Sequence, residues 1–161
     1  MSSQNSYVNS LELKSLGKAA ENILSLKELE DEQTWAKLIE LYSGNPLWLE
    51  TIAETIKELA NGKVSTLFTS NSPLLTEELQ DSLWSIFSRL TDFERIIIIN
   101  LAKTKTQESL NLEQLRNLIS VSEIELVSAL RSLRRRFLVE TENNSQFTVT
   151  PVIREFALIL E

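Results

Sequence analysis

Apolar residues recur at helical spacing along most of this chain, and the places where the spacing breaks divide it into elements. Val8, Leu11, Leu13 and Leu16 are spaced as a short extended lead-in that ends at Gly17. Ala19, Ala20, Ile23, Leu24 and Leu26 predict a first helix. Trp35, Leu38, Ile39 and Tyr42 stand at i, i+3, i+4 and i+7 and predict a second from Thr34 to Tyr42, with Asp31-Glu32 at its positive end. Gly44-Asn45-Pro46 then stops one helix and starts another, since proline fits a first helical position and no deeper one. Leu49, Ile52, Ala53, Ile56 and Leu59 mark the buried face of the third helix, which Asn61-Gly62 closes. After an apolar turn at Val64–Phe68 and a polar loop from Thr69 to Pro73, a fourth helix is expected from Thr76 to Leu90. Its buried stripe is Leu79, Leu83, Trp84, Ile86 and Phe87. Trp35, Trp48 and Trp84 each fall in or beside such a stripe and are expected as core fillers.

From Thr91 the pattern changes. Thr91-Asp92-Phe93-Glu94 and Ser122-Glu123-Ile124-Glu125 match capping boxes, and Asn111 suits a cap between them. They open three helices: one containing Ile96 to Ala102, one with Leu112, Leu115, Leu118 and Ile119, and one with Ile124, Val127, Leu130 and Leu133 facing inward. Phe137-Leu138-Val139 and Phe147-Thr148-Val149 predict two strands joined through Glu142-Asn143-Asn144-Ser145, and Val152 to Leu160 predicts a closing helix after Pro151. The expected fold is mainly α: a four-helix-type helical domain over residues 1–90, followed by a winged helix with a small β-hairpin over residues 91–161.

Composition narrows the chemistry. With 42% hydrophobic residues and three glycines in 161 residues, the chain has the makings of a packed core rather than of a disordered segment. It has no cysteine and no histidine, which removes disulfides, thiolate or imidazole metal ligation and the usual nucleophile–base relays. There is no G-x-x-x-x-G-K-[ST] phosphate loop, and adjacent carboxylates such as Glu77-Glu78 diverge on a helix, so the expectation is a protein that is not an enzyme and holds no metal. The longest apolar run, Ile96 to Ile99, is far below the roughly 20 residues of a membrane span, and a cytoplasmic location without membrane contact is expected. The formal net charge is −7, and the excess lies in residues 1–90, with thirteen acidic against seven basic side chains; residues 91–161 carry ten against nine.

Charge also bears on partners. A winged helix commonly reads DNA with the start of its third helix, but here that end carries Glu123 and Glu125, which phosphates repel. Arg131, Arg134, Arg135 and Arg136 form a basic cluster near the other end. As cations at a helix C-terminus they suit a solvated or internally docked end; a protein or nucleotide-phosphate contact is the functional alternative, and DNA a more remote one.

Several phrases together resemble the NB-ARC class of signalling ATPases, in particular the cyanobacterial members whose ATPase module precedes WD-type repeats. They are Leu41-Tyr42-Ser43-Gly44-Asn45-Pro46-Leu47-Trp48-Leu49, Arg89-Leu90-Thr91-Asp92-Phe93-Glu94, Leu130-Arg131-Ser132-Leu133-Arg134-Arg135-Arg136-Phe137-Leu138-Val139-Glu140 and Phe147-Thr148-Val149-Thr150-Pro151-Val152. The resemblance implies that Gly44, Asn45 and Pro46 belong to a nucleotide-binding corner, with Pro46 against adenine. It also implies that Val149, Thr150 and Pro151 occupy the positions of the family's Met-His-Asp phosphate sensor. Histidine and aspartate are both missing there, and Thr150 supplies a hydroxyl instead. The ATPase core is absent, so the resemblance covers only the helical and winged-helix arm. The implied function is a non-catalytic regulatory module acting by protein–protein contact with an NB-ARC-type ATPase core or its repeat domain. No cofactor is expected in the isolated chain; ADP or ATP enters only through a composite site. The alternatives are a winged-helix DNA-binding transcriptional regulator, and a folded adaptor or gene remnant with no nucleotide role.

Overall fold

The computed structural model describes residues 17–105, 108–143 and 145–161, and its backbone is mainly helical with a small three-stranded antiparallel sheet. Two compact units divide between Leu74 and Leu75. The helix at Glu77–Phe87, expected in the first domain, lies in the second of these units and packs on the C-terminal helix.

In the first unit, residues 17–26 form α1, which buries Ala20 and Leu24, and Gly17 lies within its helical backbone. Val8, Leu11, Leu13 and Leu16 lie outside the described residues. A 3-10 turn at Glu32–Thr34 leads into α2 (Trp35–Leu41). Asp31 accepts hydrogen bonds from the Ser65 amide and hydroxyl, which hold its carboxyl below the usual carboxylate range. By linkage that contribution is present above the ordinary carboxylate pKa and is lost as pH falls through the depressed value. The helix α3 (Pro46–Ala60) buries Trp48, Leu49, Ile52, Ala53 and Ile56 and ends at left-handed Asn61 (φ 50°). Gly62 (φ 88°) comes next, and its carbonyl accepts from the Glu30 amide at 2.8 Å. A Cβ there would stand 3.1 Å from the Glu28 carbonyl, so both the turn and the close approach require glycine. The turn at Val64–Phe68 contains a short helix, α4 (Val64–Leu67). Tyr42, fully buried, ties the end of this unit to α2: its hydroxyl donates to the Leu74 carbonyl at 2.9 Å and accepts from the Leu74 amide at 2.8 Å. Burial pushes the Tyr42 phenol well above its ordinary pKa.

The second unit contains α5 (Glu77–Phe87), α6 (Asp92–Lys103), β1 (Leu110–Asn111), α7 (Leu112–Ile119), α8 (Glu123–Arg135), β2 (Glu140–Glu142), β3 (Gln146–Thr148) and α9 (Pro151–Ile159). Its sheet runs β1-β3-β2, with Phe147 opposite Leu110 on one side and Thr141 on the other. The helix α6 packs chiefly on α9 and also touches α7 and α8, while α5 packs on α9 through Phe87 and Phe156, whose ring centroids are 5.0 Å apart. Arg154 is 6% exposed and has no carboxylate partner among the described residues. Its Nη1 donates instead to the carbonyls of Leu101 (3.2 Å), Ala102 (2.8 Å) and Thr104 (2.6 Å), where α6 ends. A helix C-terminus leaves such carbonyls without partners and carries negative partial charge, so a buried cation there is compensated by geometry.

Several details depart from the sequence pattern. In α8 the buried face is Leu126, Ala129, Leu130 and Leu133; Ile124 and Val127 point outward, Ile124 being 82% exposed. Leu26, Leu59 and Trp84 are exposed as well, Trp84 resting edge-on against Phe156 at 5.7 Å. Phe137 is not in a strand. It takes a left-handed conformation (φ 59°), and the amides of Phe137 and Leu138 donate back to Arg134 and Leu133, closing α8 in a Schellman turn. The first strand of the hairpin therefore starts three residues later, at Glu140. The reciprocal capping box occurs at Asn111 with Gln114. Thr91 and Ser122 each accept one amide bond, but the Glu94 carboxylate turns to Arg136 and the Glu125 carboxylate to the Ser122 hydroxyl.

Arg154→Met should destabilise the second unit by about 1.5–3 kcal/mol, the range for hydrogen bonds to a charged group, because it leaves α6 carbonyls buried without donors. Arg154→Lys, with one compact ammonium instead of a fork, should recover only part of that loss. Urea denaturation followed by circular dichroism on the whole chain checks both; an Arg154→Met chain as stable as the parent would refute the assignment.

Candidate functional site

The corner at Ser43–Pro46 is built in two steps. Tyr42 ends α2, and Ser43 (φ 55°) and Gly44 (φ 63°) both turn left-handed. The Gly44 amide donates to the Ile39 carbonyl at 2.9 Å and the Ser43 amide to Glu40 at 3.1 Å, again a Schellman arrangement. Asn45 then caps α3: its side-chain oxygen accepts from the Trp48 amide at 3.2 Å, and Pro46 occupies the first helical position. The side-chain oxygen of Asn45 is thus engaged in holding the corner. Pro46 itself and Leu47 beside it are exposed, and nothing lies within 4 Å of a Cβ built on Gly44. Trp48, one residue further, is buried and anchors the first turn of α3. The corner therefore presents a small, stiff apolar surface whose backbone cannot easily move.

Thr150 stands at the N-cap of α9 in the second unit. It is 3% exposed, and its Oγ1 has no hydrogen-bond partner among the described residues, not even an amide of its own helix. Pro151 at the first helical position removes one of those amides. A buried hydroxyl left unpaired costs on the order of 1–3 kcal/mol, which marks this position as unusual among buried polar groups. Val149 before it is buried too, and the Thr150 carbonyl accepts from the Arg154 amide at 2.9 Å.

The basic cluster divides. Arg136 donates to the buried Glu94 carboxylate at 3.4 Å, tying the end of α8 to the start of α6. Arg131, Arg134 and Arg135 are exposed and have no carboxylate within 4 Å among the described residues. They line a groove of about 540 Å³ together with Leu112, Val127, Leu130 and Phe147. The apolar members of this groove escaped the sequence pattern because Val127 and Phe147 read as core positions. The signal that could have found them is the second apolar line of α8, Ile124 and Val127, running into Arg131. Among the described residues no cluster of acidic side chains could hold a metal ion, and no helix is long and apolar enough to cross a membrane.

No protein-family model matches the chain. It is similar to an uncharacterized WD repeat-containing protein of Nostoc sp. (strain PCC 7120), 33% identical over 124 residues. That match covers 76% of this chain but only 10% of the relative, so the chain spans about a tenth of the length of the protein it matches.

Proposed function

We propose that this chain is a non-catalytic regulatory module of the kind that closes over the nucleotide of an NB-ARC-type switch ATPase, and that it acts by protein–protein contact with such a core. The observation that carries the reading is the solvent-accessible Pro46, fixed at the first turn of α3 by the Asn45 cap and the buried Trp48 behind it. A proline held this way offers an adenine ring a flat apolar wall without ordering cost. The element order of residues 92–148, helix, short strand, two helices and a hairpin, supports a winged helix there. The similarity to a small part of a WD repeat-containing protein supports a module that works within or beside a larger assembly.

DNA binding is the weaker reading. Glu123 and Glu125 are exposed in the first turn of α8, where a winged helix would meet the major groove, and the net charge of −7 opposes association with phosphates.

By itself the chain should bind neither ADP nor Mg-ATP tightly enough for calorimetry at micromolar concentration, because one apolar wall is worth roughly 1–3 kcal/mol. A millimolar complex already needs about 4 kcal/mol. When the chain is reconstituted with an NB-ARC-type ATPase core from the same source, Pro46→Ala should raise the ADP off-rate about 5- to 150-fold, the kinetic equivalent of that wall. The fold should lose only about 0.4–1 kcal/mol from the freer unfolded chain. An unchanged off-rate in a complex shown to hold ADP would reject the nucleotide role and leave Pro46 as architecture. Thr150→Val should leave the isolated chain as stable as the parent or more so, since an unpaired buried hydroxyl is removed; a lower melting temperature in thermal denaturation would refute this.

A further inference from the structure

We propose that the groove between α8 and the sheet is a docking site for an acidic, apolar-anchored peptide segment of a partner protein. The proposal stands on this groove alone and does not depend on the nucleotide reading. Leu112, Val127, Leu130 and Phe147 give it an apolar floor, and Arg131, Arg134 and Arg135 stand along its side. Its volume of about 540 Å³ accommodates a few side chains of a bound segment.

Three observations determine the chemistry of the occupant. The first is charge. Arg134 and Arg135 lie in the last turn of α8, where the helix dipole alone would account for them, but Arg131 lies a turn earlier and gains little from it. All three lack a carboxylate within 4 Å among the described residues, as do Arg89 and the carbonyl-bound Arg154, whereas Arg95, Arg116 and Arg136 in the same unit each have one. Guanidinium groups held together and uncompensated are matched by carboxylates, which they engage through two parallel hydrogen bonds.

The second is the floor. Val127 is 45% exposed, and Ile124, one turn before it, continues the same apolar line. On a helix whose adjacent face already buries Leu126, Ala129, Leu130 and Leu133, the exposed Ile124 and Val127 add little to the core, and Leu130 lies at the border of the two faces. Apolar surface bordered by arginine is the composition of protein interface centres.

The third is what borders the groove on α8. Glu123 and Glu125 occupy its first turn, so a phosphate backbone laid along the helix would meet repulsion at one end and attraction at the other. A short peptide needs only the arginine end for its carboxylates and the Val127–Phe147 floor for its apolar anchor. The occupant is therefore a segment with acidic residues beside one or two large apolar ones, bound in helix-in-groove or extended form.

A display library of random 12-residue peptides, panned on the full chain at physiological salt, tests this. Enriched sequences should combine at least two Asp or Glu with a Leu, Ile or Phe. Fluorescence anisotropy on the best labelled peptide should show at least tenfold weaker binding to Arg131→Glu and to Arg134→Glu/Arg135→Glu. Arg131→Glu should leave the melting temperature nearly unchanged, whereas Arg134→Glu/Arg135→Glu should lower it modestly by placing anions at the negative end of α8 without unfolding the chain, and it is measured on each variant. Val127→Asp, which changes the floor and not the arginines, should weaken binding comparably, and raising the salt should weaken it further. The proposal is overturned if nothing is enriched, if the enriched peptides are not acidic, or if they bind the arginine variants within twofold of the parent. It is equally overturned if random-sequence duplex DNA competes more strongly than the peptide and loses binding in Arg131→Glu, which would make the groove a nucleic-acid contact.

Discussion

The second unit depends on a cation where its neighbours are oil. Arg154 sits in a helix whose other inward residues are Val152, Ile153, Phe156 and Ala157, yet it is nearly as enclosed as they are. Burial alone would favour the neutral guanidine and lowers its pKa, but three carbonyls at the end of α6 replace the water it has lost. The consequence is positional. The most extensive helix packing in the unit, α6 on α9, is locked at the one point where α6 would otherwise fray. Arg95 acts similarly on the preceding helix: its Nε donates to the Phe87 carbonyl at 3.2 Å, where α5 ends. Helix termini in this unit are closed from neighbouring helices as well as by their own turns, which is why α5, α6 and α9 form one body.

The first unit uses shorter-range devices for the same purpose. Ser43 and Gly44 close α2, Asn45 opens α3, and Asn61 and Gly62 close it. Each is a turn residue meeting a backbone demand within a few positions. The exception is Tyr42, whose hydroxyl reaches Leu74 across thirty-two residues and satisfies both the amide and the carbonyl of a residue in no helix or strand. Because the corner at Gly44 to Pro46 is fixed on both sides, by Tyr42 before it and Trp48 after it, its proline is rigid rather than merely accessible.

The groove and Thr150 differ in how their polar groups are treated. At the groove the arginines keep their charge in water and await a partner, which costs the fold nothing. At Thr150 the hydroxyl is enclosed without one, which does cost stability. In α8 the two uses of one helix are plain. One face supplies the core of the unit, and the adjacent line of Ile124, Val127 and Arg131 supplies a surface.

What the sequence determined by itself is whatever depends on local backbone chemistry. Gly44-Asn45-Pro46 ends one helix and starts the next, Asn61-Gly62 ends a helix, Asn111 caps one and Pro151 starts one; each comes from a residue's own torsional limits and hydrogen-bonding groups. The helix content and the hairpin come from periodicity, up to a few residues at their ends. Tertiary structure decided the features that periodicity leaves degenerate. In α8 the sets Ile124, Val127, Leu130 and Leu126, Ala129, Leu130, Leu133 both fit a helical stripe, and only the presence of α6 chooses the second. Phe147 and Phe137 are equally good strand formers, but one pairs with two neighbours while the other is needed to turn the chain out of α8. The groove, the isolation of Thr150 and the role of Arg154 were decided at the same level. Each depends on which carbonyls, carboxylates and apolar atoms arrive from residues tens of positions away, and no local propensity encodes that.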